Sequence, residues 1–186
     1  AVGFSLGAYT VMALAGARTL MSEFEAWRKT NNVTSGGPKE FPDAASSIPT
    51  LKQTSAAFRQ SWSRQGEDYS DKRIRSVVVI APPPPVRAFS SSSLVEIKVP
   101  VTILSGGADT EAPANHCAEW LARQNNNFDH HDLGAEVGHY TFLALSSDST
   151  LVGQVDIFTD HTYVNRAEVH HETTQLVLNT LTHDGK

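Results

Sequence analysis

The chain has 186 residues, with 15 Lys plus Arg against 20 Asp plus Glu and a formal net charge of −5. Hydrophobic residues make up 40% and charged residues 19%, which predicts a single domain that buries roughly 70% of its unfolded surface. The mild acidic excess, with no Lys/Arg block, argues against a nucleic-acid surface, and no apolar run reaches the ~20 residues of a membrane span.

The first element is an apolar stretch over 6–27, rich in Ala, Leu, Met and Val, which predicts one helix buried against a sheet. Residues 30–50 are rich in Gly, Pro, Ser and Asn and read as loop. A second, more exposed helix is expected over 51–65, anchored by Leu51, Ala56, Phe58 and Trp62. Ser76-Val77-Val78-Val79-Ile80-Ala81 is a continuous β-branched run, the pattern of a strand buried on both faces of a parallel sheet. Pro82 to Pro85 end it and predict an extended polyproline segment, and the serines of 90–93 read as flexible. A second buried strand is expected over 99–104, a helix over 113–125, a strand over 128–133 and a last helix over 164–181. Alternation of strands and helices defines an α/β fold with a parallel sheet.

The chemistry enters at the start of the chain, Ala1-Val2-Gly3-Phe4-Ser5-Leu6-Gly7. Gly-x-Ser-x-Gly puts a serine on a sharp, strained turn between strand and helix, with its hydroxyl projecting from the end of the sheet. Glycines on either side are expected to remove side chains that would collide there. The turn also sets the Leu6 N–H, at the positive end of a helix, where it would meet a developing oxyanion. The pattern arises by chance in roughly one chain of this size in twenty, so it gains weight only from its context. That context is a long small-residue helix directly after the serine. A chain that opens inside a motif, without Met, is expected to have lost preceding sequence, and its compartment is therefore unread.

Such a turn requires an acid and then a histidine later in the chain. Asp109 follows the expected strand over 99–104 in Ser105-Gly106-Gly107-Ala108-Asp109, at a carboxyl end where open α/β sheets carry their functional groups. His139 lies thirty residues on, in Val137-Gly138-His139-Tyr140-Thr141-Phe142-Leu143.

Together these motifs resemble the α/β-hydrolase superfamily, in particular its serine-bearing, dienelactone-hydrolase-like members related to platelet-activating-factor acetylhydrolases. The segment Asp160-His161-Thr162-Tyr163-Val164-Asn165-Arg166-Ala167-Glu168-Val169-His170 is similar to the Asp-Arg-x-x-x-His stretch before their last helix. The resemblance spans most of the chain except 28–72, which reads as an insertion or cap. It implies the C-terminal part of the fold, with the strands before the serine turn absent from this chain. Dienelactone hydrolases proper carry cysteine at the nucleophile position, so Ser5 implies cleavage of carboxylic esters. The implied roles are Ser5 as nucleophile, His139 as general base, Asp109 as the acid that orients it, and the Leu6 N–H as oxyanion donor. The substrate would be a small-molecule ester, and neither a metal nor an organic cofactor would be needed. Many relatives of this type are exported bacterial proteins.

Plainer readings stand beside these roles. Ser5 can serve as a helix N-cap, and Asp109 can cap the helix near Pro113, with Thr110 and Glu111 as rivals. His139 competes with seven other histidines. His130-His131 on a strand point to opposite faces, and His170-His171 on a helix read as an exposed charged face, so neither pair predicts a metal site. Cys117 reads as a packed small residue. A rival of a different class is a catalytically inactive fragment that acts as a binding or dimerising module, pairing with its missing half or with a second copy.

Overall fold

Val77-Val78-Val79-Ile80 has nowhere polar to turn, and it runs through the centre of the sheet with Val77, Val78 and Val79 fully buried. The computed structural model describes residues 1–33, 41–146 and 157–182. In it four strands, β1 (Val2–Phe4), β2 (Val77–Ile80), β3 (Val101–Ser105) and β4 (Phe128–Asp132), pair in parallel in that order. Helices α1 (Leu6–Leu14), α5 (Ser91–Glu96) and α6 (Ala118–Ala122) cover one face, and α7 (Arg166–Thr182) covers the other. Along β2 the side chains divide accordingly: Val77 and Val79 join Ala8, Met12, Leu94 and Leu121, whereas Val78 and Ile80 meet Leu176 and Val177. This is an α/β architecture of parallel strands flanked by helices.

The expected helix over 6–27 is two helices. α1 stops at Leu14, and Gly16, at φ 114, adopts a conformation that an L side chain resists. The Ala17 N–H returns to the Met12 carbonyl and the Gly16 N–H to the Ala13 carbonyl, the paired bonds of a Schellman stop. The chain resumes as α2 (Met21–Asn31), closed by Asn32 in the left-handed region at φ 52. Within the expected 30–50 loop, 34–40 lies outside the described residues, and the rest is largely helical: α3 (Ile48–Thr54) follows a 3-10 turn over Ala44–Ser47. The expected 51–65 helix breaks at Ser55, whose hydroxyl caps α4 (Ala56–Ser63) by accepting from the Phe58 N–H at 3.2 Å. Neither α3 nor α4 buries a residue, and the Phe58 and Trp62 rings lie tilted to one another, 5.6 Å between centres, with the Lys52 ammonium 3.9 Å from the Trp62 ring centre.

Further along, only part of the proline run stays extended. Pro83 is extended and Pro84–Ala88 turns into a 3-10 helix. There the Arg87 guanidinium lies over two rings, Trp27 of α2 at 5.3 Å and Trp120 of α6 at 4.2 Å, which ties α2 and α6 to this turn. The serines of 90–93 are not a flexible stretch. Ser90 caps α5 through the Ser93 N–H, and the buried Ser93 hydroxyl accepts from the Arg18 N–H at 2.9 Å. The helix expected over 113–125 contracts to α6, because 114–117 forms hydrogen-bonded turns.

Candidate active site

β1 ends where its neighbour's backbone catches it: the Ser5 N–H donates to the Ile80 carbonyl at 2.9 Å. Ser5 then turns at φ 50 and ψ −118 before α1 begins. A non-glycine residue in that region costs on the order of 1–3 kcal/mol, a strain that surrounding structure must hold in place. Gly3 is what permits the close crossing, since a Cβ there would lie 2.2 Å from the Gly7 carbonyl oxygen. The expectation for Gly7 differs, because a Cβ at that position meets open space. Gly7 contributes its backbone to the contact, and only Gly3 is sterically required.

Ser5 occupies the N-cap position of α1, yet its side chain makes no capping bond. Its Oγ lies 3.0 Å from His139 Nε2 instead. His139 Nδ1 is 2.7 Å from Asp109 Oδ2. The structure thus brings together three residues separated by up to 134 positions. Asp109 also accepts the Ala112 N–H on Oδ1 at 2.7 Å, so capping its own turn and bonding the imidazole fall to its two oxygens. The Asp109 side chain is fully buried, and that of His139 is 6% exposed. One ring nitrogen of His139 thus faces the Asp109 carboxylate and the other the Ser5 hydroxyl. Leu6, the first residue of α1, has no acceptor for its N–H inside the helix, which leaves it beside Ser5 at the positive helix end.

Close backbone approach brings the acid and the histidine within reach. A Cβ on Gly106 would sit 2.2 Å from the Val137 carbonyl oxygen, and one on Gly107 would sit 2.7 Å from Ala135 Cα. The two loops are laced by Gly107 N–H to Gly134 carbonyl at 2.9 Å and Ala108 N–H to Val137 carbonyl at 3.0 Å. The His139 ring then packs between Phe4, 4.9 Å away between ring centres, and Tyr140, edge-on at 5.2 Å.

The remaining candidates have other partners. His130 Nε2 meets Ser105 Oγ at 2.8 Å and burial lowers its pKa, whereas His131 Nε2 meets Asp129 at 3.1 Å. His170 is not part of an exposed face, because its Nε2 lies 2.8 Å from the Thr141 carbonyl. Cys117 is buried, and burial pushes its thiol up to about 12, so it stays a neutral packing group. Among the described residues no group of three or more His, Cys, Asp or Glu is placed to hold a metal ion. No helix among them is long and apolar enough to cross a membrane.

Sequence reasoning noted Asp160, Arg166 and His170 without a role and missed Thr141. Arg166, buried, and Asp160, half-buried, form a bidentate pair, Nε to Oδ2 at 2.7 Å and Nη2 to Oδ1 at 3.1 Å. Burial alone would raise the Asp160 carboxyl. The bonds from Arg166 and Thr141 outweigh it and hold the group below its ordinary 3.8. Ala81, buried at the end of β2, was missed as well. It sits at φ 46, next in the chain to the residue that receives the Ser5 N–H.

Four parallel strands flanked by helices, with a serine turn from β1 into α1, make up the described α/β architecture. No protein-family model matches the chain, and no curated protein matches it. Among solved structures, it is similar to a hydrolase from Pseudomonas aeruginosa, with 15% identity and a TM-score of 0.40, over 97% of this chain and 63% of that one. The chain therefore spans less than two thirds of that protein's length, and the reading of the site stands on its own geometry.

Proposed function

We propose that the chain carries a serine hydrolase site that cleaves carboxylic esters through an acyl-enzyme. The observation that carries this reading is the strained Ser5 turn with its hydroxyl 3.0 Å from an imidazole that is itself oriented by Asp109. In the proposed reaction His139 Nε2 takes the Ser5 proton as Oγ attacks the ester carbonyl. Charge gathering on the carbonyl oxygen is met by the Leu6 N–H and the positive end of α1. His139 then hands its proton to the departing alkoxide, leaving Ser5 acylated. A water, deprotonated by the same imidazole, releases the acid and restores the serine. Asp109 keeps Nδ1 protonated throughout and stabilises the imidazolium that forms in each half-reaction. Residues 28–72 are assigned as an insertion or cap segment.

The test is hydrolysis of p-nitrophenyl acetate by the full chain and by Ser5→Ala. The variant is expected to lose about 10⁴-fold or more of the turnover, as removal of a triad member does. Turnover undiminished in Ser5→Ala removes Ser5 from the reaction and this reading with it.

A further inference from the structure

His139 sits on a short 3-10 turn, His139–Phe142, whose hydrogen-bond geometry is poorer than that of an α-helix. Here the turn is gripped from several sides. The Thr141 hydroxyl accepts the Gly138 N–H at 3.2 Å, closing the turn, and donates to Asp160 Oδ1 at 2.7 Å. His170 Nε2–H donates to the Thr141 carbonyl at 2.8 Å. Arg166, paired with Asp160, also donates from Nη1 to the Ala144 carbonyl at 3.2 Å, just past the turn. Thr141 and Arg166 are 2% and 6% exposed, so these bonds are shielded from competing water.

We propose that Thr141, Asp160, Arg166 and His170 are positioning residues whose joint function is to hold the His139 turn at the distance at which the imidazole meets both Ser5 and Asp109. The inference rests on the hydrolase reading of the site. The four residues act through the backbone of the turn. Thr141 and His170 bond the turn that carries the imidazole, and Arg166 bonds the Ala144 carbonyl just past it as well as the more distant Ile157 carbonyl. A displacement of about 1 Å in a reacting group is enough to cost on the order of a hundredfold in rate.

The experiment uses the full chain with p-nitrophenyl acetate as probe. Thr141→Val keeps the shape of the side chain and removes the hydroxyl, whereas Thr141→Ser keeps the hydroxyl. The valine variant is expected to lose roughly ten- to a hundredfold in kcat with KM changed by less than about twofold, and to shift the acid limb of the pH profile. The serine variant is expected to recover kcat to within about twofold of the parent. His170→Leu and His170→Gln form a second pair, in which only Gln keeps a donor for the Thr141 carbonyl, and they decide the matter if Thr141→Val fails to fold. Arg18→Ala, at an exposed ion pair with Asp68, serves as the unchanged control. A folded Thr141→Val with parental kcat and pH profile overturns the proposal, as does a loss that serine does not rescue. If the parent shows no Ser5-dependent turnover, the hydrolase reading fails and the clasp is read by NMR instead. The His139 Nδ1 proton and ring titration should then move in Thr141→Val and not in Thr141→Ser, and an unmoved pair overturns the clasp.

Discussion

Ser5 and His139 face each other across 3.0 Å, yet the chain fixes them by opposite means. The serine end is local. Strand, strained residue and helix follow one another within seven residues, and the position of Ser5 is set by backbone crossing at Gly3 and one bond to Ile80. The histidine end is assembled from distant parts. Its loop is pressed against Gly106 and Gly107 on one side and held on the other by side chains from 141, 160, 166 and 170. Backbone crossing and one main-chain bond fix the first residue, whereas the second needs polar side-chain contacts over long sequence separations in addition to backbone crossing at Gly106 and Gly107. Perturbing each end should therefore produce different kinds of loss.

The largest effects are expected where backbone meets backbone. Gly3→Ala and Gly106→Ala each drive a Cβ to 2.2 Å from a carbonyl oxygen, and main-chain atoms have little room to retreat. Each should destabilise the fold by about 3 kcal/mol or more, read as a drop in the urea midpoint. Gly7→Ala meets open space and should cost no more than about 1 kcal/mol, because a helix interior favours Ala over Gly. If Gly7→Ala proves as harmful as Gly3→Ala, the division of labour between the two glycines is wrong.

Next comes the polar end. Arg166→Leu leaves the half-buried Asp160 carboxylate without its cation and should cost about 2–3 kcal/mol of unfolding free energy. Arg18→Ala removes half of a pair about half exposed on both sides and should cost far less, because solvent screens it. Equal losses in the two variants would show that the Asp160–Arg166 pair is no more than surface decoration.

A smaller effect is expected with pH. The folded Asp160 carboxyl lies below its ordinary 3.8, so the folded state binds its proton less readily than the unfolded state does. Its contribution is complete above that ordinary value and is lost as pH falls through the folded value. The stability gap between the parent and Asp160→Asn should therefore be constant near neutrality and shrink below about pH 4. A gap that widens on acidification would reverse the sign of the account.

The same contrast explains how much could be read in advance. The serine turn was legible because all its constraints lie within one short motif, and Asp109 and His139 were legible because that motif demands an acid and a histidine in order. β2 was legible because four consecutive β-branched residues cannot face water. The break after α1 was written in Gly16, whose φ of 114 suits only glycine, but apolar composition running to Phe24 masked it. Ser55 and Ser90 likewise end or begin helices by side-chain capping, a signal that composition blurs. The grip on the His139 turn had no short-range signature. Thr141 and Asp160 are nineteen positions apart, and Thr141 and His170 twenty-nine, so only the folded chain places them together.

The central claim is that Ser5 is an activated hydroxyl. A fluorophosphonate probe followed by peptide mass spectrometry tests it most directly, because such probes phosphonylate a serine only when a neighbouring base raises its nucleophilicity. One adduct confined to Ser5, lost in His139→Gln while that variant keeps the parental melting temperature, is the predicted result. A folded parent chain that takes up no label at Ser5, or labels equally well without the imidazole, contradicts it.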